Sequence, residues 1–120
     1  MLIKNIEILS EDAEEALLHI TDGVYECAAF CQPCNKCIGY FIEEPLLSFN
    51  SQYPVLETIN KTPYISRKKS GFAHEILGQV ISVEENLVRV GNIIIELDVN
   101  LPGDININDL VKFTCARLDT

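Results

Sequence analysis

The sequence has little of what several classes of protein require. Its nine basic residues are half the number of its 18 acidic residues, so the formal charge is −9, and aromatic residues make up only 8%. Such an acidic chain repels polyphosphate at long range, and nucleic acid is therefore disfavoured as a partner. No apolar run approaches the ~18 residues that a bilayer-spanning helix needs, so the sequence predicts no membrane segment.

Export signals and common catalytic motifs are also missing. Residues 1–7 lack the basic start and the apolar stretch of a secretory signal, so we expect a cytoplasmic protein. No glycine-rich phosphate loop, nucleophile elbow or zinc-protease helix occurs. What is present is 120 residues, 48% of them apolar, which suffices for one soluble domain with a core that needs no disulfides.

Alternation of apolar and polar residues predicts β-structure in the second half. Every second residue from 93 to 101 is apolar, which is typical of an antiparallel strand with one buried face. The pair Gly91-Asn92 just before it is typical of a tight hairpin turn. With the apolar runs at 76–83 and 111–115, this pattern predicts an antiparallel β-meander over residues 76–120.

The first half resembles the second in pattern. Residues 15–20 align with residues 85–90, and the Asp22-Gly23 pair then falls close to Gly91-Asn92. Apolar spacing is shared although residue identity is not. The alignment suggests two pseudo-repeated three-stranded meanders, which would be an internal duplication.

These patterns divide one domain into three parts. We predict a first meander over residues 1–49, a crossover or linker over 50–75 with a short helix around 55–60, and the second meander over 76–120. Residues 10–20 are compatible with a helix, because Ser10 is a suitable N-cap, or with a turn and a strand. Their alternation favours the strand.

An all-β chain with this outline predicts a small antiparallel barrel, OB-like in shape, because closing the sheet removes its exposed edges. If the duplication holds, the alternative is a six-stranded barrel with a pseudo-two-fold axis, and a two-sheet sandwich is the third choice. An edge left open would allow a homodimer through strand pairing.

The cysteines are the chemical anomaly of the sequence. Four of the five, Cys27, Cys31, Cys34 and Cys37, fall within eleven residues. Crowded cysteines in a reducing compartment indicate metal or redox chemistry more often than structural disulfides. Soft thiolates suit zinc, which takes four ligands in a tetrahedron, or an iron–sulfur cluster. One interpretation is therefore a metal site formed by these four, with Cys115 as a substitute ligand.

Two other interpretations of the cysteines stay open. The run Cys31-Gln32-Pro33-Cys34 looks like the Cys-x-Pro-Cys of thioredoxin-like oxidoreductases, but residues 35–39 predict a turn instead of the helix that lowers the thiol pKa there. Alternatively Cys27 and Cys115 are small core residues and the other three are loop thiols without chemistry.

One family resemblance covers part of the chain. Residues 22–34, DGVYECAAFCQPC, and residues 41–46, FIEEPL, resemble a group of small uncharacterised bacterial β-barrel proteins with an OB-like shape. The resemblance implies a small, soluble bacterial protein. It assigns no activity and no binding residues.

Together these observations favour a non-enzymatic β-barrel that binds another protein through its barrel face or residues 50–71. The alternative is a metal-binding or thiol-redox module at the cysteine cluster. A third hypothesis is binding of single-stranded nucleic acid, for which the sequence offers one basic run with two aromatic neighbours. These residues are Lys61, Arg67, Lys68, Lys69, Tyr64 and Phe72.

Overall fold

A computed structural model describes residues 1–52 and 54–120, and within them the chain is all β with no helix. Its eleven strands are β1 (Leu2–Ser10), β2 (Glu15–Thr21), β3 (Glu26–Cys31), β4 (Leu46–Phe49), β5 (Val55–Glu57), β6 (Tyr64–Arg67), β7 (His74–Ser82), β8 (Leu87–Val90), β9 (Ile93–Glu96), β10 (Leu110–Cys115) and β11 (Arg117–Asp119). The predicted all-β class is confirmed. The short helix expected around residues 55–60 is wrong, because residues 55–57 pair with β10 at the sheet edge.

The first three strands form an antiparallel meander. Ile20 of β2 lies opposite Ile3 of β1 and Cys27 of β3. Between β1 and β2 the chain turns at residues 11–14, and the hydroxyl of Ser10 accepts the backbone N–H of Ala13 at 3.1 Å. Residues 10–20 therefore form a turn and a strand, because alternation buries one face of β2 in the core.

Strands β7, β8 and β9 pair antiparallel in chain order and form a second meander, which does not include the predicted strand at residues 111–115. The turn between β8 and β9 uses Gly91, whose φ of 59° favours glycine. A side chain there would lie 2.4 Å from the carboxylate of Asp22, which belongs to the turn between β2 and β3. That carboxylate accepts the backbone N–H of Asn92 at 2.8 Å, so the two hairpin turns are joined directly.

Each meander pairs with a strand that belongs to the other half of the chain. Strand β4 runs parallel to β9 of the second meander, and β11 runs parallel to β3 of the first. Strands β4 and β11 pair antiparallel with each other. Strand β10 returns to β7 instead of continuing from β9. The sheet is therefore mixed, and the prediction of a purely antiparallel sheet is wrong at these two parallel pairs.

The predicted OB-like barrel is not confirmed, because the strand order runs from β1 to β5 and the described residues do not pair these two ends. Strand β6 lies off this path, on β7. The start of β1 is occupied by residues 39–42 instead: the N–H of Ile3 donates to the carbonyl of Tyr40 at 3.0 Å, and the N–H of Ile42 donates to that of Met1 at 2.7 Å. No helix in the described part of the chain is long and apolar enough to cross a membrane.

One hydrophobic core lies on the inner faces of both meanders. It contains side chains from β1, β2, β3, β4, β7, β8, β9, β10 and β11, including Cys27, Cys31 and Cys115. The alternation within strands decides which residues enter it. In β4, for example, Leu46 and Ser48 are buried whereas Leu47 and Phe49 are exposed.

Candidate functional sites

The structure divides the four clustered cysteines instead of gathering them. Cys27 and Cys31 share the inner face of β3, four residues apart, which is ~13 Å along a strand. Two thiolates on one zinc ion lie at most about 4.6 Å apart, because each Zn–S bond is ~2.3 Å. With β3 as it stands, Cys27 and Cys31 cannot hold the same ion.

The metal site therefore stays a prediction. Within residues 1–52 and 54–120, no three side chains among cysteine, histidine, aspartate and glutamate converge closely enough to hold a metal ion. A zinc or iron–sulfur site formed by Cys27, Cys31, Cys34 and Cys37 would require β3 to rearrange. The exposed thiol of Cys37 lies beyond the strand.

Cys27 and Cys115 belong to a buried group around His74. Cys115 lies opposite His74 in the register of β10 and β7, and all three residues are buried. Burial and the nearby Cys115 raise the pKa of the Cys27 thiol to about 12, and burial raises the pKa of Cys115 to about 11. Both are therefore protonated at neutral pH, as expected of small core residues.

His74 joins two strands that do not pair with each other. The backbone N–H of Ala28 in β3 donates to Nε2 of His74 at 3.2 Å. Nδ1 therefore carries the proton, and it donates to the carbonyl of Phe72 at 2.9 Å. Burial lowers the pKa of His74 to about 4, so the ring is neutral. With both nitrogens bonded inside the protein, His74 is a structural residue.

Cys31 and Cys34 form a second pair, at the rim of the sheet. Cys31 is the last residue of β3 and is buried in the core, whereas Cys34 is half-buried and packs against that core. Burial and the contact with Cys34 raise the pKa of Cys31 to about 11. The backbone N–H of Cys34 donates to the carbonyl of Glu14 at 2.8 Å, which fixes the segment against the turn between β1 and β2.

The resemblance to thioredoxin-like oxidoreductases does not extend beyond the motif. Residues 35–39 form an irregular segment and a turn, as expected from the sequence. In those enzymes a helix N-terminus stabilises the thiolate of the first cysteine. Here the first cysteine is the buried Cys31, whose pKa is raised, so the motif is not built for rapid disulfide catalysis.

A different surface comes from four distant segments of the chain. On the outer side of β3, β11 and β4, the guanidinium carbon of Arg117 lies 4.7 Å from the ring centroid of Phe30 and 4.7 Å from that of Phe49. Phe30 in turn lies 6.4 Å from Phe72, which precedes β7. We call Phe30, Phe49, Phe72 and Arg117 the aromatic face.

Sequence reasoning did not find the aromatic face. Only Phe72 was singled out, because of the basic residues before it. Phe30, Phe49 and Arg117 meet through the pairing of β11 with β3 and with β4. No local pattern indicates these pairings, although alternation in β4 does mark Phe49 as an outward residue.

Several basic groups near this face are already engaged. Arg117 donates to both carboxylate oxygens of Asp119, at 2.7 and 3.3 Å. Arg67 donates to the backbone carbonyls of residues 71 and 70, at 2.7 and 3.0 Å. Lys68 and Lys69 are exposed and form no side-chain ion pair within the described residues. They leave a small positive region beside the aromatic face.

A large cleft lies elsewhere, between the start of β1 and the joined hairpin turns. It has a volume of about 770 Å³ and mostly apolar walls, to which Leu2, Phe41 and Ile94 contribute. Asp22 and Glu43 stand at its polar edge. Three backbone N–H groups already donate to the carboxylate of Asp22, and although burial opposes the effect, they lower its pKa.

Comparisons of the chain with protein-family models, with curated proteins and with solved structures find no match. The resemblance to small bacterial barrel proteins therefore stays a prediction. Function has to be inferred from the arrangement of the residues themselves.

Proposed function

We propose that the protein is a non-enzymatic protein-binding module and that the aromatic face is its recognition surface. The observation that carries the proposal is the stacking of Arg117 on both Phe30 and Phe49 at the protein surface. Phe49 is 50% exposed and Phe72 is 39% exposed. Aromatic and arginine side chains are enriched at protein interfaces and account for most binding hot spots.

The aromatic face is held in place before any partner binds. Strand β11, which carries Arg117, is hydrogen-bonded to β3 on one side and to β4 on the other. The guanidinium is fixed further by Asp119 and by the two rings. A surface ordered in this way loses little side-chain entropy on binding, which favours affinity.

The charges near the face indicate the chemistry of the partner. Lys68 and Lys69 are exposed in the hairpin that leads to Phe72, on a protein whose formal charge is −9. An acidic segment of a partner would be attracted to this region and repelled by the rest of the surface. The proposed partner is therefore a protein segment that combines carboxylates with an apolar or aromatic side chain.

Nucleic acid fits the same face less well. Single-stranded nucleic acid requires a basic groove along its phosphates as well as rings for base stacking. Here the donors of Arg67 and Arg117 are used inside the protein, and the net charge opposes the phosphates. Aromatic rings without a basic groove beside them favour a protein partner over single-stranded nucleic acid.

For the scaffold, we propose a duplicated unit that curls towards a six-stranded barrel with a pseudo-two-fold axis. The reciprocal pairing of β4 with β9 and of β11 with β3 supports this hypothesis, as does the contact between the two hairpin turns. An experimental structure in which β4 and β11 stay with their own halves would contradict it.

A displayed peptide library selected on the protein tests the binding function. We expect enrichment of peptides with Asp or Glu next to an aromatic or large apolar residue. Phe49→Ala and Phe72→Ala should each weaken the best peptide at least about tenfold, as hot-spot truncations do. Phe41→Ala is the matched control, since Phe41 is 59% exposed but lies at the cleft, and it should leave the affinity unchanged.

Three results would contradict the proposal. Loss of binding in Phe41→Ala alone would move the site to the cleft. Binding of a single-stranded oligonucleotide with a steep salt dependence, without peptide enrichment, would favour nucleic acid. Self-association in sedimentation, without peptide enrichment, would make a second copy the partner, paired along the part of the β1 edge that residues 39–42 leave uncovered.

A further inference from the structure

The pair formed by Cys31 and Cys34 has no part in the proposed binding function. Two residues separate them in the chain, and Cys34 packs against the edge of the core in which Cys31 lies. One thiol is buried and the other is partly open to solvent. This is the asymmetry that stepwise thiol–disulfide exchange requires, since one sulfur must be reached first and the other must then displace it.

The surroundings of Cys34 restrict which disulfide can approach. Cys34 lines a cleft of about 280 Å³ at the end of β1, with Ile6 and Ile8 as apolar walls. Glu11, Glu14 and Glu15 also line this cleft, against a single basic residue, Lys36. The approach to the thiol is therefore negatively charged, which repels anionic disulfides and attracts cationic ones.

We propose that Cys31 and Cys34 form a reversible intramolecular disulfide by exchange with a disulfide of positive charge, such as a basic peptide disulfide or a diamino disulfide. The inference does not rest on the proposed binding function. It assigns an oxidisable pair to the rim of the sheet and a chemical class to its oxidant.

The exchange proceeds in two balanced steps. Cys34 loses its proton and attacks one sulfur of the incoming disulfide, forming a mixed disulfide and releasing the first thiol. Cys31 then loses its proton and attacks the Cys34 sulfur, which breaks the mixed disulfide and releases the second thiol. Cys31 and Cys34 together lose two electrons and two protons, and the incoming disulfide gains them.

The order of attack follows from burial. Cys34 is reached first because Cys31 is shielded by the core, and burial also raises the pKa of Cys31 to about 11. Once the mixed disulfide forms, Cys31 lies only three residues from its target sulfur and in the core against which Cys34 packs, so the second step is intramolecular and favoured by proximity. Cys37 is exposed and provides a bystander thiol for comparison.

Intact-mass and peptide-mapping measurements on the full chain test the proposal, with cystamine as the cationic probe and glutathione disulfide as the anionic probe. Cys37→Ser should lose the mass of two hydrogen atoms, with the new bond mapped to Cys31 and Cys34. Wild type should form the same bond and also carry half of the probe as a mixed disulfide on the exposed Cys37. Cys31→Ser should stop at the mixed disulfide on Cys34, and Cys34→Ser should leave Cys31 unmodified. Cystamine should react at least about fivefold faster than glutathione disulfide at low salt, and added salt should shrink this ratio.

Other outcomes overturn the inference. A bond between Cys34 and Cys37, or a mixed disulfide that persists in Cys37→Ser, would mean that Cys31 does not resolve the exchange. Equal rates with both probes would remove the proposed charge selectivity. Because Cys31 is buried, Cys31→Ala serves as a second variant, and circular dichroism confirms that each variant is folded before its mass is interpreted.

Discussion

Strand β3 carries two cysteines with opposite surroundings. Cys27 lies among Cys115, His74 and the strands of the second meander, whereas Cys31 ends the strand beside the half-buried Cys34. Both side chains point to the same face of the same strand. Their chemistry differs because of what the rest of the fold places opposite each of them, and not because of their own spacing in the sequence.

The difference has a simple structural cause. Near Cys27, the side chain of His74 reaches across to the backbone of Ala28 and closes that end of the core. Beyond Cys31 the chain leaves the sheet and lies against the turn between β1 and β2, where the N–H of Cys34 donates to the carbonyl of Glu14. The thiol of Cys27 serves packing alone, whereas Cys31, although also buried, ends the strand next to Cys34, whose thiol is partly open to solvent.

The largest expected effect is on native-state thiol reactivity. An alkylating reagent should modify Cys34 at least about 100-fold faster than Cys27 or Cys115, because buried thiols react only when the structure opens locally. Burial also raises the pKa of Cys27 to about 12, which leaves little thiolate. Isotope-coded alkylation followed by peptide mapping measures all five rates. Equal rates at Cys27 and Cys34 would contradict the division into core and rim pairs.

The next largest effect is on the free energy of unfolding, when His74 at the end of the core is replaced. His74→Leu should lower the free energy of unfolding by about 3 kcal/mol, because the buried N–H of Ala28 loses its acceptor and a well-packed polar side chain is replaced. Urea unfolding measures this loss. His19→Leu is the control, since His19 is only partly buried, and it should cost less than about 1 kcal/mol. A similar cost for both variants would remove the special role of His74.

The smallest expected effect is the pH dependence of the free energy of unfolding that His74 contributes. The unfolded chain protonates this histidine near its ordinary pKa of 6.5, whereas burial lowers the pKa to about 4 in the folded protein. The unfolded state therefore binds more protons between these values, and the stabilisation present above pH 6.5 is lost as the pH falls towards 4. Between pH 7 and pH 5 the loss should be about 2 kcal/mol. His74→Leu should flatten this part of the stability curve, and an unchanged slope would contradict the assignment.

Local alternation was sufficient to predict several elements. It predicted the hairpin of β8 and β9, the strand from residue 15 and the strand at β10, because a half-buried strand shows its period within a few residues. It failed at residues 55–57, where three residues are too few to show a period. Local alternation also could not predict the partners of β4 and β11, since these parallel pairs join segments far apart in the chain.

For the candidate sites too, some features could be predicted from the sequence and others depend on the tertiary structure. The sequence alone determined that the chain forms strands, which residues of the clearly alternating strands face inwards, and that Cys31 and Cys34 lie near each other, since two residues separate them. Only the tertiary structure decided that Cys27 belongs with Cys115 and His74, and that Arg117 stacks on Phe30 and Phe49. The physical reason is that side-chain periodicity is local, whereas the order and register of strands depend on burying all the apolar faces at once.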